Sequence, residues 1–157
     1  MPKLYLETTT FNFYHMEKDS EKKRDTIRLF KRIAEGRFEP YTSIIVIDEL
    51  KKAATEKYQK MIGLLGQYGI CVLSNSGEAE KLADMYVSKG IIPLKYRTDA
   101  QHIAIATVNR LNFVASYNFG HIVKLKTLNM AGLVNVRRDY PQIGLFSPTE
   151  VRDDDGR

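Results

Sequence analysis

The chain has 157 residues, of which 43% are hydrophobic and 27% are charged. This composition is typical of one ordinary globular domain and excludes a disordered or fibrous protein. The formal net charge of +5 favours a polyanionic partner such as nucleic acid, although charge alone does not establish one.

Targeting and redox signals are few. No apolar run approaches the roughly 18 residues of a membrane span, and the start of the chain lacks the apolar core of a signal peptide. We therefore expect a cytoplasmic protein with no membrane partner. The single cysteine, Cys71, excludes an internal disulfide bond, and no Cys/His spacing indicates a structural zinc site. Because Cys71 falls within a predicted strand, we expect it to be buried and inert.

One domain is expected over residues 1–149, because no repeat, low-complexity block or linker interrupts them. Residues 150–157, EVRDDDGR, hold four acids and two bases. We expect this acidic C-terminal tail to be frayed.

Short strands alternate with amphipathic helices along the chain. In chain order the pattern predicts strand Lys3–Leu6, helix Ser20–Glu35, strand Glu39–Thr42, helices Ile44–Ala54 and Glu56–Gln67, strand Ile70–Leu73, helices Ser76–Lys89 and Thr98–Leu111, strand Asn112–Ala115, a helix from about His121 to Leu133, and strand Ile143–Phe146. Residues Thr98-Asp99-Ala100-Gln101 match a capping box. Such alternation predicts an α/β domain whose largely parallel sheet is covered on both sides by helices.

Oxygen-bearing side chains gather where ligands bind in such sheets, beyond the carboxyl ends of the strands. Glu7 follows the first strand, Asn118 follows the fourth, Glu49 lies on the helix after the second, and Asp99 opens the helix before the fourth. Three carboxylates in one cleft repel one another unless a cation neutralises them. Hard oxygen ligands without cysteine suit Mg²⁺ or Mn²⁺, which indicates metal-assisted phosphodiester hydrolysis.

Four stretches carry a resemblance to a known family: LYLETTTFNFY at 4–14, TSIIVIDEL at 42–50, TDAQHIAIA at 98–106 and LNFVASYNFGHIVK at 111–124. Their order and spacing resemble the PIN-domain family, and within it the VapC-like toxin nucleases. The resemblance implies a three-layer α/β/α domain with a central, mostly parallel sheet of about five short strands. It also implies a ribonuclease with an RNA substrate, Mg²⁺ or Mn²⁺ as cofactor, a homodimer and commonly a cognate antitoxin. Residue by residue, it assigns the metal site and catalysis to Glu7, Glu49, Asp99 and Asn118.

Two positions depart from the family pattern. The first acid is usually Asp, whereas Glu7 is one methylene longer, and Asn118 can ligate a metal but brings no charge. A nuclease-inactive PIN module that binds RNA or a protein partner is therefore the alternative function.

Each proposed ligand also has a simpler interpretation. Asp99 could serve only the dipole of its helix, and Glu49 could pair with Lys52 on the surface. Glu7 could be an exposed loop acid, and Asn118 could be a turn residue.

Accessory residues are assigned more loosely. Thr8, His102 and His121 lie close enough in sequence to the proposed ligands to contact them or the substrate. Arg24, Arg28 and Lys31 lie on one helical face that could follow an RNA backbone, although a solvated face is an equal alternative.

Overall fold

The computed structural model describes residues 1–118, 135 and 137–151. Its centre is a five-stranded sheet in the order β3-β2-β1-β4-β5, and all four strand pairs are parallel. The strands are β1 (Lys3–Leu6), β2 (Glu39–Ser43), β3 (Cys71–Leu73), β4 (Phe113–Ala115) and β5 (Gly144–Phe146). The five predicted strands are therefore confirmed to within one residue at each end.

Helices flank this sheet and make the three-layer α/β/α arrangement that was predicted. They are α1 (Thr8–Tyr14), α2 (Glu21–Ala34), α3 (Ile44–Ala53), α4 (Thr55–Tyr68), α5 (Gly77–Ser88), α6 (Arg97–Val108) and α7 (Pro148–Val151), with a 3-10 turn at Leu94–Tyr96 before α6. Serine side chains cap α2, α3 and α5, because each accepts a hydrogen bond from a backbone N–H in the first turn.

The central strand β1 places the site. Leu4, Tyr5 and Leu6 are each 0% exposed, as expected for a strand covered on both faces. Tyr5 stands in register with Tyr41 of β2 and Val114 of β4. The carboxyl ends of these three neighbouring strands therefore open at one edge of the sheet.

Helix α1 was not predicted, because its run of three threonines has a low helix propensity. Glu7 makes the helix possible by acting as its N-cap and accepting a hydrogen bond from the backbone N–H of Thr9. A residue assigned to chemistry thus also has a structural role.

The predicted capping box at the start of α6 is wrong. The helix begins at Arg97, so Thr98 lies inside it, and no side chain caps it. The Gln101 amide instead donates to Glu80 Oε1 at 2.7 Å, and Arg97 forms an ion pair with Glu80 at 2.6 Å. Contacts with α5 replace the local cap.

The prediction that Cys71 is buried is also wrong, because Cys71 is exposed. It begins β3, which lies at the edge of the sheet, and the next residue, Val72, is 40% exposed. A short apolar run cannot by itself distinguish an edge strand from a central one.

The chain beyond β5 returns to α2. Val151 in α7 is 6% exposed, and its carbonyl accepts a hydrogen bond from the buried Arg32 at 2.9 Å. Glu150 and Val151, the first two residues of the predicted tail, lie in α7. Residues 152–157 and the predicted helix from about His121 to Leu133 lie outside the described residues, so fraying of the tail stays a prediction. Within the described part of the chain, no helix has the length and apolar character needed to cross a bilayer.

Candidate active site at the carboxyl ends of the central strands

Glu7 is fully buried at the end of β1, with 0% of its surface exposed. Its Oε1 accepts three hydrogen bonds: from Thr9 N at 2.8 Å, Thr9 Oγ1 at 2.6 Å and Ser116 Oγ at 2.7 Å. A buried carboxylate is costly unless such donors replace water. The geometry therefore rejects the simpler interpretation of Glu7 as an exposed loop acid.

Asn118 meets the second oxygen of Glu7. Its Nδ2 donates to Glu7 Oε2 at 3.2 Å, and its backbone N–H donates to Ser116 Oγ at 2.9 Å. The two residues are 111 positions apart in sequence, and they meet because β1 and β4 are adjacent parallel strands. Two of the four predicted ligands are thus in direct contact.

Glu49 projects from α3 toward the same region and is 36% exposed. Its Oε1 accepts hydrogen bonds from Thr8 Oγ1 at 2.9 Å and His102 Nε2 at 2.7 Å. Burial alone would raise the pKa of Glu49, but the hydrogen bonds from His102 and Thr8 and the charge of Lys52 hold it below the ordinary value. Glu49 is therefore ionised at neutral pH, and its direct partners are His102 and Thr8.

Behind His102 lies a buried polar pair that the sequence analysis did not include. Tyr5 OH lies 2.6 Å from His102 Nδ1 and 2.7 Å from Ser43 Oγ, and all three residues are 0% exposed. Burial raises the pKa of Tyr5 far above its ordinary value, so its phenol keeps its proton. A tyrosine within an otherwise aliphatic central strand was the available signal.

Asp99 lies in the first turn of α6, one turn before His102, and is 9% exposed. In residues 1–118, 135 and 137–151, no three His, Cys, Asp or Glu side chains are arranged to hold a metal ion. The three predicted carboxylates therefore do not form a closed cluster. Glu7 and Glu49 nevertheless accept hydrogen bonds from adjacent residues, Thr9 and Thr8.

Solved structures with this architecture identify the fold. A VapBC2 complex from Rickettsia felis bound to a promoter DNA fragment matches with a TM-score of 0.59 and 15% identity over 92% of this chain and 98% of the matched chain. FitAB bound to the IR36 DNA fragment matches with a TM-score of 0.61 and 13% identity over 93% and 95%. FitAcB from Neisseria gonorrhoeae matches with a TM-score of 0.59 and 15% identity over 92% and 97%. The fold is the PIN-like α/β/α fold of these structures. No protein-family model and no curated protein sequence matches the chain.

The donors of this PIN-like domain fit Mg²⁺ or Mn²⁺ in chemical type. All four proposed ligands offer hard oxygens, and Mg²⁺ commonly needs only one or two carboxylates because it keeps several waters. Three donors contact Glu7 Oε1, whereas among the described residues Oε2 has only the longer hydrogen bond from the Asn118 amide. A half-turn of that amide would present its oxygen instead.

Thr9 and Ser116 belong to the candidate site, although the sequence analysis did not assign them to it. Both donate to the buried carboxylate of Glu7, and Thr9 Oγ1 also accepts from the backbone N–H of Tyr117 at 2.9 Å. Hydroxyl residues directly after β1 and β4 were the available signal, because these two strand ends are neighbours.

The predicted RNA-contact face lies on α2 of the PIN-like domain. Arg24 pairs with Asp19 at 2.8 Å, and Arg28 lies 3.6 Å from Asp25. These arginines and Lys31 line an open cavity with a volume of about 440 Å³. Contact with RNA stays a prediction, and His121 lies outside the described residues.

Aromatic rings lie nearer the site, beside the amino end of α2. Phe13 packs edge-on against Tyr117 at 4.7 Å, and Lys22 Nζ lies 5.5 Å and 5.4 Å from the two ring centres. Phe11, in contrast, is 2% exposed and belongs to the core. At least one of the α1 aromatic residues therefore serves packing.

Proposed function

We propose that the protein is a Mg²⁺- or Mn²⁺-dependent endoribonuclease that hydrolyses RNA phosphodiester bonds, as the toxin of a type II toxin–antitoxin pair. The contact of Glu7 with Asn118 carries the proposal, because two polar residues 111 positions apart meet at the carboxyl ends of adjacent central strands. Ligand sites in open α/β sheets lie at this edge.

The similar structures support the toxin role. VapBC2 and FitAB are each described as bound to DNA, the former to a fragment of its own promoter. By the family resemblance, we propose that this chain has a cognate antitoxin and forms a homodimer. Sedimentation of the purified protein tests the dimer, which would sediment at twice the mass of the chain.

Hydrogen bonds within the site orient the carboxylate oxygens that would bind a cation. Thr9 and Ser116 hold Glu7 Oε1 and leave Oε2 facing Asn118. His102 and Thr8 hold Glu49 Oε1. Glu7, Glu49, Asp99 and Asn118 would hold the ion. When bound, the ion supplies an activated water and offsets the charge that builds on the leaving oxygen.

Cleavage of single-stranded and structured RNA tests the proposal. We expect cleavage with Mn²⁺ or Mg²⁺, none with chelator, and background cleavage for Asp99→Asn. Asp48→Asn is the matched control, because Asp48 is an exposed acid beside Glu49 and its loss removes the same charge. Cleavage that survives both chelator and Asp99→Asn would refute the proposal.

A second function, a nuclease-inactive module that binds RNA or a protein partner, is favoured by two observations. Glu7 already accepts four hydrogen bonds and caps α1, and the described residues contain no three-carboxylate cluster. Calorimetric titration with Mn²⁺ separates the two functions. Specific Mn²⁺ binding that Asp99→Asn weakens and Asp48→Asn does not supports the nuclease, whereas a folded wild-type protein that binds no Mn²⁺ supports the inactive module.

A further inference from the structure

A continuous chain of hydrogen bonds connects the core of the sheet with Glu49. Ser43 Oγ lies 2.7 Å from Tyr5 OH, Tyr5 OH lies 2.6 Å from His102 Nδ1, and His102 Nε2 lies 2.7 Å from Glu49 Oε1. The first three residues are 0% exposed, whereas Glu49 reaches solvent. These hydrogen bonds thus connect the buried interior of the sheet with the edge where the candidate site lies.

The chemistry of the end groups sets the direction of every bond. An ionised carboxylate only accepts, so His102 Nε2 carries the proton that it donates to Glu49. A neutral imidazole has one N–H, so His102 Nδ1 accepts from the Tyr5 phenol. The Tyr5 oxygen can then accept from the Ser43 hydroxyl.

The same assignment of donors and acceptors also satisfies the hydroxyl group of Ser43. Ser43 Oγ accepts from the backbone N–H of Ile45 at 3.2 Å as the cap of α3, and its own proton goes to Tyr5. A doubly protonated His102 would reverse this order: Tyr5 would donate to Ser43, and the Ser43 proton would have no acceptor among the described hydrogen bonds. The neutral Nε2–H tautomer therefore satisfies all the groups together.

We propose that Tyr5 and His102 are positioning residues, in which Tyr5 holds the His102 ring by donating to Nδ1 and His102 holds the Glu49 carboxylate at the site by donating from Nε2. The proposal rests on the proposed nuclease function for its catalytic consequence. His102 and Asp99 are one turn apart on α6, so the hydrogen bond to Glu49 on α3 also joins the helices that carry the two carboxylates. Outer partners of metal ligands commonly act in this way.

A buried polar cluster that serves only stability is the competing explanation. Tyr86 provides the matched control, because it is also a tyrosine with 0% exposure and its hydroxyl donates to Asn135 Oδ1. It lies on α5 and has no contact with the hydrogen-bond chain among the described hydrogen bonds. Tyr5→Phe and Tyr86→Phe therefore each remove one buried hydroxyl, and only the first removes it from the chain.

Nitrogen NMR of the imidazole rings tests the tautomer directly in metal-free protein. We expect His102 of the wild type and of Tyr86→Phe to show the Nε2–H form with an Nδ1 that accepts a hydrogen bond, and Tyr5→Phe to show an Nδ1 signal shifted to that of a nitrogen without a donor. A wild-type His102 with its proton on Nδ1, or an Nδ1 signal unchanged in Tyr5→Phe, would overturn the proposal. This readout does not depend on metal or RNA.

Substitution of His102 separates donation to Glu49 from simple filling of space. Gln can place an N–H near the position of Nε2, whereas Asn is too short to reach Glu49. We expect His102→Asn to weaken Mn²⁺ affinity and the kcat of RNA cleavage by about 10–100-fold, and His102→Gln to restore most of the loss. For Tyr5→Phe we expect about a 10-fold loss, with Tyr86→Phe unchanged.

The outcomes distinguish the two proposals. The losses compared are those in Mn²⁺ affinity and kcat. Equal losses for His102→Asn and His102→Gln, or for Tyr5→Phe and Tyr86→Phe, would show that these hydrogen bonds serve stability alone and would overturn the positioning role. A wild-type protein that neither binds Mn²⁺ nor cleaves RNA would refute the nuclease function. In that case the tautomer measurement would still decide whether Tyr5 and His102 position Glu49.

Discussion

Ser116 supplies one of the hydrogen bonds that compensate for the buried charge of Glu7. Ser116 is 3% exposed, and its hydroxyl donates to Glu7 Oε1 at 2.7 Å. Ser116→Ala removes this donor and leaves Thr9 as the source of the other two bonds to the same oxygen. A hydrogen bond to a charged group contributes about 1.5–3 kcal/mol to the free energy of unfolding. We expect a loss of this size.

Urea unfolding followed by circular dichroism measures this loss in the free energy of unfolding. Thermal unfolding should show the same loss as a lower Tm. For a domain of this size, each kcal/mol lowers Tm by about 2–4 °C, so the expected decrease in Tm is about 3–12 °C. Ser88→Ala is the control, because the Ser88 hydroxyl is exposed and makes only a 3.3 Å contact with a backbone carbonyl. Its effect should stay within about 0.5 kcal/mol. Equal stabilities of the two variants would show that the hydrogen bond from Ser116 to Glu7 does not stabilise the fold.

A double-mutant cycle tests whether the charge of Glu7 is the reason. With Glu7→Gln in the background, Ser116 donates to a neutral amide oxygen, and the cost of Ser116→Ala should fall to about 0.5–1.5 kcal/mol. The expected coupling between the two sites is about 1 kcal/mol. An unchanged cost in the Glu7→Gln background would show that the Ser116 hydroxyl acts through its hydrogen bond with the Asn118 backbone or through packing instead.

Electrostatics at the start of α6 and packing beside β5 make two further predictions. The hydrogen bond from Arg97 is the main reason that the pKa of Glu80 falls from 4.5 to about 2, so the stability contributed by ionised Glu80 is present above 4.5 and is lost as the pH falls toward 2. Glu80→Gln should therefore lose less stability than the wild type between about pH 5 and about pH 2.5 in urea titrations; equal losses would contradict this. A Cβ on Gly144 would lie 2.7 Å from Phe113 Cδ1, so Gly144→Ala should destabilise by about 1–3 kcal/mol. Gly66→Ala, which meets open space in α4, should stabilise by about 0.5–1 kcal/mol, and the same sign for both alanine variants in thermal unfolding would count against this packing.

Local patterns determined most of the architecture. The strands and the longer helices follow from apolar periodicity, and the capping residues Ser20 and Ser43 lie at or directly before the predicted starts of α2 and α3. These signals depend on residues within one or two turns, which makes them readable without tertiary information. The same alternation predicted a parallel sheet, and hence the edge at which Glu7 and Asn118 meet.

Contacts between distant residues decided the remainder. The Gln101 amide donates to Glu80 instead of serving a local cap, because α5 packs against α6. Cys71 is exposed because β3 has no neighbour on one side in the described sheet. None of these outcomes has a local signature.

The site shows the same division. Sequence alone identified the oxygen-bearing residues and predicted that Glu7 and Asn118 follow strands of the sheet. Only the tertiary structure joined Tyr5, His102 and Glu49, whose successive partners are 97 and 53 positions apart. The physical reason is that apolar periodicity records which face of an element is buried, whereas a buried hydrogen bond is specified by the side chain that another element places opposite it.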